Sequence, residues 1–126
     1  MTVTGSFRLE RPAFRLGDPI LLILRVCNPD EQEAYVYIPH GRADGVRVRV
    51  LRGDGLRPAS LEREPEAGLV GRRRLAPGEC EEKTYPLHEW IEVSAPGVYE
   101  LELALDLPAP EREVPIVGRV ELVIES

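Results

Sequence analysis

Residues 98–105, with the sequence VYELELAL, alternate apolar side chains with charged or small ones. Because successive side chains of a β-strand point to opposite faces, this period of two predicts a strand with one apolar face. The charged residues Glu100 and Glu102 fall on the other face. The apolar face consists of Tyr99, Leu101, Leu103 and Leu105. A strand of this kind is half-buried, so it needs a second layer to cover it.

The same criteria predict further short strands, bounded by glycine, proline, asparagine and aspartate. Residues 45–50 alternate valine with arginine, which predicts valines facing inward and arginines facing outward. Residues 20–27 are almost all apolar, which predicts a strand buried on both faces. Residues 79–87 are highly charged, which predicts an exposed edge strand. The remaining candidates are residues 3–10, 34–38, 72–75 and 119–125.

No segment has a convincing helical period, and residues 53–71 are expected to form a long loop with at most one short helical turn. Seven to nine short strands in a chain of 126 residues, 43% of them hydrophobic, predict a single all-β domain spanning residues 1–126. The architecture we expect is an antiparallel β-sandwich. Its predicted core consists of Ile20, Leu22, Leu24, Val26, Val36, Val48, Tyr99, Leu101, Leu103 and Leu122.

Charge and composition argue against several classes of function. The formal net charge of −6 and the pI near 5.0 disfavour a nucleic-acid partner, because such binding needs an excess of basic side chains. No apolar run approaches the roughly 20 residues that span a bilayer, and the start of the chain lacks signal-peptide features. We therefore expect a cytoplasmic protein with no membrane partner. The scarcity of asparagine, glutamine and methionine fits a thermophilic source.

Two cysteines, Cys27 and Cys80, are too few for a disulfide framework and do not form a C-x-x-C motif. We expect two buried free thiols, which behave as small apolar side chains. A single bridge between them is the alternative, since intracellular proteins of some hyperthermophiles carry disulfides.

Three local patterns occur in an order that resembles bacterial immunoglobulin-like domains. They are residues 14–20 (FRLGDPI) leading to Asn28, residues 75–79 (LAPGE) and residues 96–101 (PGVYEL). Domains of this type include the BsuPI-type intracellular proteinase inhibitors and the modules appended to bacterial enzymes. The resemblance implies an immunoglobulin-like sandwich, and the tyrosine of the last pattern resembles a tyrosine corner. Trp90 follows both cysteines, unlike the Cys-Trp-Cys order of antibody domains.

Residues suited to catalysis are few. Only His40 and His88 could act as histidine bases, and no motif such as G-x-S-x-G accompanies them. These histidines could form a zinc set with Cys27 and Cys80, but their spacings match no zinc motif. The sequence also lacks nucleotide-binding loop motifs. Its single methionine, Met1, is not suited to be the axial ligand of a blue-copper site. We expect a protein with no catalytic residues, no cofactor and no metal site.

The function expected from these observations is a non-enzymatic protein-interaction or accessory module. An intracellular proteinase inhibitor of the BsuPI type, presenting a loop to an enzyme, is the first alternative. An undetected hydrolase or metal-binding protein is the second. The expected partner is a protein, and a homodimer formed through an edge strand is kept as a further alternative.

The predicted binding surface comprises Tyr35, Tyr37, Arg47 and Arg49. Consecutive strands of an immunoglobulin-like sandwich are often neighbours, so these side chains would form one outer patch. Tyrosine and arginine are enriched at binding hot spots. The alternative is structural: the tyrosines would be buried, and the arginines would pair with the outward glutamates of residues 98–105.

Overall fold

The computed structural model of the protein describes residues 3–42, 45–59, 72–107 and 113–126. Regular structure in these ranges is almost entirely β, which confirms the predicted all-β class. One 3₁₀ turn spans Leu87–Glu89. The described strands are β1 (Thr4–Leu9), β2 (Phe14–Arg15), β3 (Leu21–Cys27), β4 (Ala34–Tyr37), β5 (Arg47–Arg52), β6 (Leu56–Pro58), β7 (Arg72–Leu75), β8 (Cys80–Pro86), β9 (Ile91–Val93), β10 (Gly97–Leu107) and β11 (Val114–Glu125).

The described strands form four sheets. A three-stranded antiparallel sheet has the order β1-β3-β8, and a four-stranded sheet has the order β2-β11-β10-β5. In the larger sheet β2 runs parallel to β11, and the other pairs are antiparallel. Two further antiparallel pairs are β4 with β7 and β6 with β9. The structure thus describes eleven strands rather than seven to nine, because pairs as short as β6 and β9 leave no periodic signal in the sequence.

The two larger sheets meet where β1 lies against β11. Gly5 of β1 lies against the side chain of Ile116, and a Cβ atom at Gly118 would lie 3.2 Å from the ring of Phe7. Glycine at both positions lets the opposing side chains fill the space between the sheets. This face-to-face packing is compatible with a β-sandwich.

The core contains every predicted core residue except Val48. Val48 is only partly buried, because among the described strands β5 is the last of its sheet and has a neighbour on one side only. The confirmed positions lie on the inner faces of β3, β4, β10 and β11, with Ile20 just before β3.

The prediction that residues 20–27 are buried on both faces is wrong. In β3 the inner side chains Leu22, Leu24 and Val26 are fully buried, whereas Ile23 is half-buried and Arg25 is exposed. The neighbouring strands β1 and β8 flank β3 within the sheet, and no described layer covers its outer face. The apolar run therefore includes side chains, such as that of Ile23, that are only partly removed from water.

The predicted loop over residues 53–71 contains a strand. Leu56–Pro58 forms β6, and the remainder of this loop from residue 60 lies outside the described residues.

The last strand, which was predicted to begin at residue 119, begins earlier, at Val114. Its Pro115 lies next to the first residue of the strand, opposite Asp106 of β10. The expected charged edge strand is confirmed: β8 ends its sheet.

The tyrosine of the PGVYEL pattern makes the hydrogen bond expected of a tyrosine corner. Tyr99 is buried, and its hydroxyl donates to the carbonyl oxygen of Ala95 at 2.5 Å. Gly53, with φ of +118°, brings its backbone close beneath the tyrosine ring. A side chain there would be strained by the backbone angle and would clash with the ring.

Replacing Leu101 tests the packing of β10. Leu101 is 0% exposed, so Leu101→Ala should lower the free energy of unfolding by about 2–5 kcal/mol through lost apolar contact and a residual cavity. Val117→Ala is the matched control, because Val117 lies on the neighbouring strand β11 and is 63% exposed. Denaturant unfolding should show a control effect of about 0.5 kcal/mol or less. Equal losses in the two variants would contradict the assigned faces.

Candidate functional site

The outer face of β4 and β7 brings tyrosine and arginine together. In this pair Tyr35 lies opposite Arg74, and Tyr37 lies opposite Arg72. Residues directly opposite in an antiparallel pair share a face, so these four positions form one surface, which we name the Tyr–Arg face. Both tyrosines are half-buried, whereas the alternate residues of β4 are buried in the core.

Glu33, just before β4, organises part of the Tyr–Arg face. The hydroxyl of Tyr35 donates to Oε1 of Glu33 at 2.7 Å. The Nε atom of Arg74 lies 3.5 Å from the other carboxylate oxygen. One carboxylate therefore links the two strands and restricts the orientation of both side chains.

Two side chains of the arginine run at residues 72–74, those of Arg73 and Arg74, form ion pairs. Arg74 pairs with Glu33. Arg73 lies on the opposite face of β7 from Arg74, and its Nε atom lies 3.5 Å from a carboxylate oxygen of Glu81 in β8. Alternation along β7 thus divides the run between two faces.

Arg47 and Arg49 lie in a different sheet from the tyrosines. They belong to β5, which pairs with β10. Arg47 Nη1 lies 3.4 Å from Asp106, and Arg49 Nη2 lies 3.3 Å from Glu102. The expected pairing of arginine with outward acidic residues of β10 is therefore confirmed at Glu102. For Arg47 the partner is Asp106, because the antiparallel register places Arg47 opposite Ala104.

The single patch predicted from Tyr35, Tyr37, Arg47 and Arg49 is thus divided between two sheets. The assumption behind that patch was that β4 and β5 would be neighbours, but among the described residues β4 pairs with β7 and β5 with β10. The alternation of arginine and valine in β5 complements the alternation of glutamate and leucine in β10. β7 instead supplies arginines beside the tyrosines.

The side chain of Asn28 connects β3 to the base of the Tyr–Arg face. It is 0% exposed, and its Nδ2 atom donates to the carbonyl oxygens of Gln32 at 2.8 Å and Leu75 at 3.0 Å. Its Oδ1 atom accepts the backbone N–H of Asp30 at 3.1 Å. Because Leu75 ends β7 and Gln32 lies just before β4, one buried carboxamide holds the start of one strand beside the end of the other.

The backbone of Asn28 is also bound. Its N–H donates to the carbonyl oxygen of Glu79 at 2.9 Å, and its carbonyl accepts the N–H of Gly78 at 2.7 Å. These bonds attach the turn between β7 and β8 to the end of β3. The sequence identified Asn28 as a turn residue, and a buried role for it had no signal beyond its being the chain's single asparagine.

Cys27 and Cys80 form a disulfide, so the expectation of two free thiols is wrong. The two residues lie directly opposite each other in the β3–β8 pair, next to Asn28. They lie on the outer, half-buried face of the sheet, opposite to the core residues of β3. The antiparallel register brings the two Cβ atoms together, and sequence spacing alone could not indicate this.

A second buried polar side chain, Arg42, holds the β6–β9 pair. It is 9% exposed, and its Nη1 atom donates to the carbonyl oxygens of Ala59 at 2.9 Å and Trp90 at 3.2 Å. Those residues follow β6 and precede β9 directly. Arg42 therefore serves the structure of that pair, and no sequence pattern predicted that it would be buried.

The candidate metal set does not assemble in the described part of the chain. Cys27 and Cys80 are bonded to each other, and the Nδ1 atom of His88 lies 3.1 Å from the backbone nitrogen of Ile20. No described group of three or more histidine, cysteine, aspartate or glutamate side chains could hold a metal ion. No helix among the described residues is long and apolar enough to cross a membrane.

Comparison with known proteins assigns this chain to no family. No protein-family model matches the sequence. No curated protein is significantly similar to it. The likeness to bacterial immunoglobulin-like domains therefore stands on the three turn-and-strand patterns and on the all-β structure.

Replacing Asn28 by aspartate tests its hydrogen bonds. Asn28→Asp keeps the size and the Oδ1 acceptor but removes both N–H donors, leaving a carboxylate against the carbonyl oxygens of Gln32 and Leu75. The free energy of unfolding should fall by about 3 kcal/mol. Gln32→Ala is the control, because Asn28 binds the backbone of this exposed residue and not its side chain. A loss in Asn28→Asp no larger than in the control would contradict the assigned role.

Reduction of the disulfide should destabilise the protein. The bridge links residues separated by 53 positions, so a thiol reductant should lower the free energy of unfolding by about 2–4 kcal/mol by freeing the unfolded chain. Intact mass should rise by two hydrogen atoms on reduction. The double variant Cys27→Ser with Cys80→Ser provides the control and should not respond to the reductant. An unreduced protein that already carries both hydrogens would refute the bridge.

Proposed function

We propose that this protein is a non-enzymatic interaction or accessory module built on an immunoglobulin-like antiparallel β-sandwich. The packed three- and four-stranded sheets and the hydrogen bond from Tyr99 to Ala95 support the immunoglobulin-like assignment. A fold of this type serves many functions, so a particular function depends on the residues at its surface. The surface we propose for binding a protein partner is the Tyr–Arg face.

The observation that supports this proposal is the register of β4 with β7. It places Tyr35 beside Arg74 and Tyr37 beside the position of Arg72 on one face. Tyrosine and arginine are over-represented among the residues that dominate binding energy, because each combines a large contact area with directional hydrogen bonds. The side chains of Tyr35, Tyr37 and Arg74 on one face form a compact candidate hot spot.

The side chains of Tyr35 and Arg74 are already held in place before any partner binds. Glu33 holds Tyr35 and Arg74 through the contacts described above, so a partner would not have to order these side chains itself. The side chain of Arg74 is still 65% exposed, and its guanidinium has donors beyond the one that faces Glu33. The complementary partner is a protein whose contacting surface offers carboxylates and backbone carbonyl groups.

The likeness to BsuPI-type proteins supports a second proposal, an intracellular proteinase inhibitor. Assays against serine proteases of the source organism separate the two proposals, because an inhibitor must slow substrate cleavage whereas an accessory module need not. Metal analysis and hydrolase substrate screens of the purified protein test the remaining alternative, an enzyme or metal protein.

We also propose a cytoplasmic location in a thermophile. Disulfides are commoner in oxidising compartments, and intracellular proteins of hyperthermophiles are the exception that reconciles this location with the Cys27–Cys80 bridge. Blotting of fractionated source cells under non-reducing conditions tests the location and the presence of the bridge there, and the growth temperature of the source organism tests the thermophilic part.

The binding proposal predicts a defined response to substitution. The tagged full chain is used to isolate a partner from the source cytosol, and the affinity of the purified pair is then measured by calorimetry. Tyr37→Ala combined with Arg74→Ala should weaken binding by about thirtyfold or more, as expected for loss of a hot spot. The melting temperature should change little, since neither residue belongs to the core.

Arg119→Ala is the matched control. Arg119 is as exposed as Arg74, each at 65% of its side chain, and it also pairs with one glutamate, but it lies in the four-stranded sheet. This variant should bind the partner as the unaltered protein does. Weaker binding by Arg119→Ala together with unchanged binding by the Tyr37 and Arg74 variant would overturn the Tyr–Arg face.

A further inference from the structure

β5 forms an edge of the four-stranded sheet. It pairs with β10 on one side, and no other described strand pairs with it. In an antiparallel ladder every second residue directs its N–H and C=O groups away from the paired strand. Within Arg47–Arg52 these outward groups make no backbone hydrogen bond to any described residue outside the β10 ladder.

The apolar side chains of β5 show the same incomplete coverage. Val48 and Val50 pack against the core but remain partly exposed, whereas Leu101 and Leu103, opposite them in β10, are fully buried. The difference arises because β10 has described strands on both sides, whereas β5 has a described strand on one side only. A strand added beside β5 would cover these two valines.

The outer face of β5 is cationic. The side chains of Arg47 and Arg49 are 58% and 67% exposed although each is in contact with an acidic residue of β10. A guanidinium carries five N–H donors, so each arginine can bind a second carboxylate on its other side. Residues 47–52, RVRVLR, contain no acidic residue to compete for them.

We propose that the edge of β5 that no described strand covers binds an extended segment of a partner protein in which acidic and apolar residues alternate. The added strand would extend the ladder through its backbone, place its apolar side chains over Val48 and Val50, and place its carboxylates beside Arg47 and Arg49. β10 shows this chemistry within the molecule: its Glu102 lies opposite Arg49, and its leucines lie opposite the valines.

The charges argue against a second copy of β5 as the occupant. Two antiparallel copies of this strand would bring arginines of both chains to one face, and like charges opposite each other destabilise a sheet. The edge is therefore protected from self-pairing and is complementary to an acidic strand.

This inference is independent of the Tyr–Arg face, which lies on another pair of strands. The probe is a short capped peptide of alternating glutamate and valine, added to the isotope-labelled full-length protein. Binding should shift the amide resonances of β5 and slow their hydrogen exchange. Arg49→Glu should weaken the affinity about tenfold, whereas Tyr37→Ala should leave it unchanged.

Three controls make the test specific. Arg119→Glu reverses a similarly exposed arginine that pairs with Glu100 on the same sheet, but β10 separates it from the edge, so peptide affinity should be retained. A lysine–valine peptide should bind more weakly, since it repeats the charge of β5. The acidic peptide with N-methylated backbone amides should not bind, because it cannot form the ladder.

Several outcomes would overturn the proposal. These are no binding of the acidic peptide, equal binding of the acidic and lysine peptides, retention of affinity after N-methylation, and equal weakening by Arg49→Glu and Arg119→Glu. Peptide-induced shifts confined to β4 and β7 would also refute it. A concentration-dependent dimer that Arg49→Glu abolishes would instead assign the edge to a second copy of the chain.

Discussion

Tyr99, Leu101 and Leu103 can leave water together only if β10 turns one face to the core, and this leaves Glu100 and Glu102 outside. Both neighbours of β10 must then carry the same alternation in the matching register. Arg49 in β5 and Arg119 in β11 both lie opposite Glu102, from the two sides. A slip of one residue would exchange the apolar and charged faces of a whole strand. Burial and ion pairing therefore specify the same register.

Asn28 performs a comparable role by hydrogen bonding at the end of β3. Its buried carboxamide satisfies backbone groups of two segments distant in sequence, around Gln32 and Leu75. Burying a polar group costs free energy unless it is hydrogen-bonded. Positions of the two segments that would break the hydrogen bonds of Asn28 are therefore disfavoured. These hydrogen bonds add to the apolar core in holding β4 beside β7, and with them the Tyr–Arg face.

Local patterns predicted the β class, the inner faces of β3 and β10, and the charged edge strand β8, because alternation and turn residues act over short distances. They did not predict which strands pair. Tyr35 and Arg74 meet through a register between distant segments, and Cys27 meets Cys80 in the same way. β3 was assigned two buried faces because apolar content alone does not reveal that its outer side lacks a covering layer. These three errors, on strand pairing, the disulfide and the outer face of β3, all concern contacts between segments far apart in the chain.

The disulfide encloses the whole segment between β3 and β8 in a covalent loop, with a sequence separation of 53 residues between its ends. That loop contains β4 and β7, and therefore every residue of the Tyr–Arg face. If a protease cut the backbone once anywhere inside it, the two fragments would stay joined through sulfur. They would also remain held by the β3–β8 ladder on which the bridge lies. A cleaved molecule would thus keep both halves of its surface covalently joined until a thiol reduced the bridge, and only the ladder would hold them after that.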